Sequence, residues 1–246
     1  MDTSGKNQQG RWTLHRVTET GSTNADLLSA GAQGAPDRTV LRADHQTAGR
    51  GRLDREWVDT PGRNLLVSFL FRDVPADAHV LTQAVAIGAL EVARELGVPA
   101  VLKWPNDLLV ADRKLSGVLA QAGPFDGDVP SFVVVGIGVN IGSAPDGATC
   151  IAEHATHGVP TPDDYMLRML PVIDDVLAAD GDGRHARYRA ALATLGSRVR
   201  VHLPDGSEIV GRALDVTADG RLEVLDECAV THRLDTADVV HLRTAD

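Results

Sequence analysis

Four short apolar segments between residues 100 and 140, "AVLKW", "DLLV", "LSGVLAQ" and "SFVVVGIGVN", are separated by little more than turn residues, at Ala111-Asp112-Arg113-Lys114 and from Pro124 to Pro130. A parallel connection needs a crossover of about a dozen residues or more, so turns this short demand antiparallel neighbours. Upstream, "RTVLRA" at 38 to 43 and "NLLVSFLF" at 64 to 71 read as two further strands joined by a basic, glycine-bearing loop. Helices flank them. "TNADLLSAG" opens with a capping-box-like Thr23-x-x-Asp26 and ends at Gly31. "HVLTQAVAIGALEVAREL" at 79 to 96 sets Leu81, Val85, Val92 and Leu96 on one face and stops at Gly97. Thr161-Pro162-Asp163-Asp164 is a helix start with a cap, a first-position proline and first-turn acids. Pro171 should kink or split that helix. A last helix, "RHARYRAALATL", stops at Gly196. The pattern predicts an α+β fold with a mixed, largely antiparallel sheet flanked by helices.

After Gly196 the helical period vanishes. "RVRVHL", "EIVGRALDV", "RLEVLD", "VTHRL" and "DVVHLR" alternate with turns such as Pro204-Asp205-Gly206 and Ala218-Asp219-Gly220. They predict a five-stranded small barrel, so the domains are expected at 1–195 and 196–246. The first ten residues are expected to be disordered.

A chain of 246 residues with 43% hydrophobic content can bury a full core. Its apolar runs fall short of the ~18 to 20 residues of a membrane span, and the N-terminus has no secretory pattern. Cys150 and Cys228 make no disulfide or metal framework. A cytoplasmic protein without a membrane partner is expected. Formal charge is −10, which disfavours a nucleic-acid partner. Against that acidity Arg50, Arg52, Arg55 and Arg63 stand close together, with Lys103, Arg113 and Lys114 further on. Local cations in an acidic protein point to a small anionic ligand, unless they form only a solvated loop.

Three clusters need a common explanation: "HQTAGRGR" at 45 to 52, "KWPND" at 103 to 107 and "DRKLSG" at 112 to 117. Together with "STN" at 22 to 24 and "GIGVN" at 136 to 140, their order and spacing resemble the biotin protein ligases. The resemblance covers essentially the whole chain, because that family carries a small SH3-like barrel after a catalytic domain of the biotinyl/lipoyl ligase, class II synthetase-like fold. It implies an ATP-dependent ligase that activates biotin as biotinyl-5'-AMP, with Mg2+, and passes it to a lysine of a biotin carboxyl carrier protein domain of a biotin-dependent carboxylase.

The same resemblance assigns residues. Arg50, Arg52 and Lys114 gather around the biotin carboxylate and the α-phosphate, with Lys103 adding charge near the phosphates. Two unit charges 4 Å apart repel by about 4 kcal/mol at an effective dielectric of 20, so the reaction needs such cations. Gly49 and Gly51 let the loop approach the ligand. Ser22, Thr23, Asn24 and Gln46 belong to the biotin end, where Ser22 and Thr23 could equally be helix caps and Gln46 a loop amide. Gly117 admits close packing of the biotin ring or marks a bulge. Trp104 and Pro105 shape the nucleotide pocket, and Asn106 helps to organise the polar end. Asp107 holds Mg2+ or receives the incoming lysine. Asn140 contacts nucleotide or metal, and Trp57 covers adenine or packs in the core.

Leu53-Asp54 stands where many relatives continue with basic residues and glycine, which bears on how the loop closes. Only 21 residues precede Ser22, too few for the winged helix-turn-helix of repressor relatives. A lipoate or octanoate transferase shares the architecture, but the polar set and the full "GRGR" favour biotin. A dinucleotide oxidoreductase fails because "GIGVNIG" lacks the G-x-G-x-x-G spacing. A non-catalytic biotin or nucleotide sensor would keep the pocket and need no Asp107.

Overall fold

The computed structural model describes residues 6–52, 55–203, 205–235 and 238–241. Its main sheet has eight strands in the order β1-β2-β3-β4-β10-β7-β6-β5. In chain order these are β1 (Lys6–Gln9), β2 (Trp12–Thr20), β3 (Thr39–Gln46), β4 (Leu65–Phe71), β5 (Val101–Lys103), β6 (Asp107–Val110), β7 (Arg113–Ala122) and β10 (Val133–Val139). Only β2 and β3 run parallel, across α1 (Thr23–Ala32); every other pair is antiparallel, as the short turns require. The small hairpin β8 (Phe125–Asp126) and β9 (Val129–Pro130) fills the turn from Pro124 to Pro130.

Both faces of the sheet are covered, which explains why β4 is apolar at nearly every position instead of alternating. On one face lies α2 (His79–Glu95), with α3 (Pro162–Ala178) packed behind it. The predicted stripe of α2 is buried, and so are Val80, Ala84, Ile87, Ala89 and Leu90, because the helix is enclosed between sheet and α3. At Gly88 an added Cβ would stand 2.9 Å from Ile173, so the glycine sets the separation of the two helices. On the other face α1 covers Leu41, Leu70, Phe132 and Val134 through Leu27.

Several local expectations change. Residues 6–9 form an edge strand on β2 rather than a disordered start, and residues 1–5 lie outside the described residues. The cap of α1 is Ser22, whose Oγ accepts from Ala25 N, not Thr23. Gly31 does not stop that helix. It lies inside, where a Cβ would collide with the Phe132 ring at 2.5 Å, and the left-handed turn falls at Gly34 (φ +91°). Helix α3 begins as predicted, with Thr161 Oγ1 accepting from Asp164 N, but runs unbroken through Pro171. Pro171 is exposed and brings no amide to the Leu167 carbonyl, while Met166, Met169, Leu170 and Ile173 of the same helix are buried. The last helix, α4 (Gly181–Ala191), is capped by Asp180 and ends before the predicted "ATL", which turns toward the site.

The C-terminal strands are β11 (Arg198–His202), β12 (Glu208–Val216), β13 (Leu222–Asp226), β14 (Thr231–Leu234) and β15 (Asp238–His241). All five lie where predicted, in the antiparallel order β14-β13-β12-β11-β15. Among the described residues the edge strands β14 and β15 do not pair, so the expected small barrel is described as a five-stranded antiparallel sheet. No helix among the described residues is long and apolar enough to cross a membrane.

Candidate functional site

The sequence clusters meet at a cavity of about 360 Å3, lined by the start of α1, the end of β3 and residues along β4, β7 and β10. Its wall includes Ser22, Thr23, Asn24, Gln46, Arg50, Gly51, Arg52, Trp57, Lys103, Asn106, Asp107, Lys114, Gly117 and Asn140, so the structure brings together all but one of the site residues expected from sequence. The exception is Gly49. It lies behind the wall, where a Cβ would stand 3.0 Å from both Gln46 Nε2 and the Trp57 carbonyl, so its bareness lets the loop close on Gln46. At Gly51 a Cβ would meet nothing closer than 3.6 Å.

The basic loop is a flap rather than a coil. Trp57 N donates to Gly49 O (2.9 Å), Gly51 N donates to Arg55 O (2.7 Å), and Arg50 lies opposite Glu56 in antiparallel fashion. Leu53-Asp54, the departure from the family pattern, lies outside the described residues. The flap reaches the "KWPND" segment where Arg52 Nη1 donates to Asn106 Oδ1 at 3.4 Å. At its base Asp59, almost fully buried, contacts His45 Nδ1 at 3.0 Å. That hydrogen bond, with the charges of Asp59 and Glu19, raises His45 above its ordinary pKa.

Trp57 packs neither in the core nor alone. Its half-buried ring rests on the sheet, where a Cβ at Gly138 would stand 2.3 Å from the indole and one at Gly117 3.3 Å. Lys114 Nζ is 5.8 Å from the ring centroid. The neighbours that crowd Gly117 here are Trp57 and Lys114, and the bulge considered for it occurs nearby instead. The β6–β7 register shifts between Leu108 and Leu109, which pair with Ser116 and Lys114 and leave Leu115 as the extra residue. An inserted residue re-aims side chains, and so Lys114 and Gly117, three positions apart, line the same cavity.

The shift sets Lys114 Nζ 2.7 Å from Asp107 Oδ1. Asn106 is fixed to β7 by Nδ2 donating to Val118 O (2.8 Å) while its carbonyl accepts from Val118 N (2.9 Å). Asn140, 2% exposed, donates through Nδ2 to Thr149 O (3.0 Å), and its Oδ1 is buried without a hydrogen-bond partner. A buried acceptor left unpaired is costly, which makes this oxygen ready for a ligand donor.

Of the cations grouped in sequence, Arg50, Arg52, Arg55, Lys103 and Lys114 line the cavity, with Glu56 and Asp107 as the carboxylates among the described residues. Arg63 and Arg113 do not. Arg63 donates to Gly142 O (2.9 Å), and Arg113 pairs with Glu153 (2.8 Å), holding that carboxyl below its usual range. No group of three or more His, Cys, Asp or Glu among the described residues could hold a metal by itself. Asp107 alone can hold Mg2+ only if phosphate oxygens complete the shell, which is how Mg2+ commonly binds beside nucleotides.

Sequence reasoning missed Ser68, Gln121, Thr194 and Gly220. Ser68 and Gln121 belong to a hydrogen-bond network around Thr23 and Asn24; the only signal for Ser68 was one polar residue in an apolar strand. Thr194 and Gly220 reach the back of "KWPND". Trp104 N donates to Thr194 Oγ1 (2.9 Å), Trp104 Nε1 donates to Gly220 O (3.0 Å), and Ala193 N donates to Leu102 O (2.8 Å). The C-terminal third of the chain thus braces the segment whose Lys103 to Asp107 line the cavity.

Residues 15–140 match the Biotin/lipoate A/B protein ligase family and residues 194–242 the Biotin protein ligase C terminal domain. The chain is 41% identical over 254 aligned positions to the biotin--[acetyl-CoA-carboxylase] ligase of Mycobacterium tuberculosis, covering 94% of this chain and 89% of that one. It is 32% identical over 195 positions to the ligase of the same name from Paracoccus denitrificans, covering 73% and 74% of the two chains. A biotin protein ligase from Aquifex aeolicus, solved in complex with biotin and ATP, superposes with a TM-score of 0.78 at 25% identity, over 94% of this chain and 99% of that one. With its sequence motifs converging on one cavity, and residues 15–140 and 194–242 each matched, this chain belongs to the biotin/lipoate A/B protein ligase family.

Proposed function

We propose that this chain activates biotin with ATP and transfers it to a lysine of a carrier protein. The observation that carries the reading is what one cavity wall combines. Ser22, Thr23, Asn24 and Gln46, suited to a ureido group, line it together with apolar residues and with the five cations Arg50, Arg52, Arg55, Lys103 and Lys114. In the first step a biotin carboxylate oxygen attacks the α-phosphorus, the bond to the bridging oxygen breaks, and pyrophosphate leaves. Arg50, Arg52 and Lys114 offset the repulsion between the two anions, and Lys103 extends the positive field toward the leaving phosphates. Asp107 holds Lys114 in place and would hold Mg2+, which enters with the nucleotide and screens its phosphates. Asn140 Oδ1 accepts a donor from the nucleotide. In the second step a neutral lysine amine attacks the acyl carbon and AMP leaves. Asp107 is the carboxylate placed to orient that amine and take its proton.

The carrier is a carboxyl carrier protein domain of a biotin-dependent carboxylase, by analogy with relatives named as ligases for acetyl-CoA carboxylase. Residues 1–195 form the catalytic domain and 196–246 the C-terminal domain in this reading. The match to a biotin ligase C-terminal domain supports biotin over lipoate. Cys150 and Cys228 are free thiols, which fits a reducing cytoplasm. Biotin-dependent exchange of pyrophosphate into ATP is the deciding assay. Exchange stimulated by biotin and not by lipoate supports the proposal; biotin binding without exchange would identify a sensor instead.

A further inference from the structure

We propose that Ser68, buried behind the cavity wall, is a positioning residue that sets the hydrogen-bond polarity of the biotin end. The inference rests on the functional reading above for the identity of the ligand. Ser68 is the one polar side chain of β4 and is fully buried. Its partner across the sheet is Gly136 on β10. The space over that glycine is taken by Asn24, whose Oδ1 would lie 2.0 Å from an added Cβ.

Proton counting fixes the direction of the network. Asn24 Nδ2 faces the Leu119 carbonyl (3.2 Å) and Gln121 Oε1 (2.9 Å). A backbone carbonyl only accepts, so the amide cannot be reversed and its Oδ1 faces Ser68 Oγ at 2.6 Å. Ser68 must give its single proton there. Gln46 Oε1 accepts from Thr23 N (2.8 Å), which fixes that amide also. Thr23 Oγ1 then lies 2.7 Å from Ser68 Oγ and 3.0 Å from Gln46 Oε1, with one proton for two contacts. The shorter contact takes it. Thr23 donates to Ser68, and Thr23 Oγ1 and Gln46 Oε1 are left as neighbouring acceptors on the cavity wall. Two facing acceptors are relieved by a donor that reaches both, so this end of the cavity reads a ligand N–H, which the cyclic urea of biotin carries and a dithiolane does not. Ser68 touches no ligand; it acts by drawing the Thr23 proton away from Gln46.

Ser68→Ala removes the acceptor of the Thr23 proton. The hydroxyl then turns to Gln46 Oε1 and the acceptor pair is lost. Calorimetry on the purified full chain should show biotin Kd rising about 10-fold, the size of one hydrogen bond, with ATP Kd within about twofold of wild type. In a Thr23→Val background Ser68→Ala should add almost nothing to biotin Kd, a non-additivity that a merely structural serine would not produce. Should the alanine variant fail to fold, Ser68→Cys, a weak donor of similar size, should weaken biotin and leave ATP alone. Unchanged biotin Kd in the folded variant, equal weakening of biotin and ATP, or full additivity with Thr23→Val would overturn the role. Absence of biotin binding by the wild type would instead overturn the functional reading.

Discussion

Replacing Thr194 by valine should loosen the site from behind. Valine keeps the shape of threonine but has no oxygen, and Thr194 Oγ1 accepts the Trp104 backbone N–H at 2.9 Å where both residues are sealed from water, at 0% and 2% exposure. The substitution strands that N–H without a partner. A buried donor left unmet costs about 1 to 3 kcal/mol. For a chain of this size each kcal/mol moves Tm by about 2 to 4 °C, so the fall should be about 2 to 12 °C. Trp104 and Pro105 line the cavity next to Asn106 and Asp107, and the KM for ATP should rise as the segment loses its anchor. Thermal melts and pyrophosphate release at varied ATP read both effects. Thr194→Ser is the control, since it keeps the oxygen and loses one methyl group, worth about 0.8 kcal/mol when fully buried. A valine variant that melts within about 1 °C of the serine variant, with the same KM for ATP, would refute the reasoning.

Lys114→Ala should cut biotinyl-AMP formation by about 10- to 100-fold, the loss of a charge-assisted contact of about 1.5 to 3 kcal/mol; near-normal pyrophosphate release would reject its place at the reacting oxygens. Gly138→Ala puts a Cβ 2.3 Å from the Trp57 indole, so the ring must leave the sheet and its fluorescence should shift to the red, a change absent when Trp57→Phe is the background. The His45–Asp59 contact should depend on pH with a definite sign. Because His45 is raised in the folded state, its contribution is complete below the ordinary value of about 6.5 and fades as pH climbs through the raised value. Asp59→Asn should bring the His45 NMR titration back toward that ordinary value, and an unchanged midpoint would remove Asp59 as the cause.

How much the chain announces about itself can be judged from particular residues. Local signals were sufficient for most of the elements, though not for the cap of α1 or for Pro171. The short turns around Ala111-Asp112 required antiparallel strands, Thr161 with Pro162 started a helix, and the loss of helical period after Gly196 marked five strands that occur at the expected positions. The motif residues were legible as types, since a carboxylate, an amide and cations at fixed spacing suit anionic ligands whatever the fold around them. Gly31 was misread because nothing nearby in sequence shows that Phe132 packs on it.

The tertiary structure decided how those residues meet. A single inserted residue at Leu115 turns Lys114 toward Asp107, and strand alternation alone would have separated it from Gly117. Trp104 is held by Thr194 and Gly220, 90 and 116 positions away, and Thr23 Oγ1 meets Ser68 Oγ, 45 positions away. Periodicity, capping and turn chemistry act over a few residues, so they write strands and helices into the sequence directly. Hydrogen-bond partners across a packed interior are chosen only when the elements dock, because burial then forces each polar group to find whichever partner the fold has brought within reach.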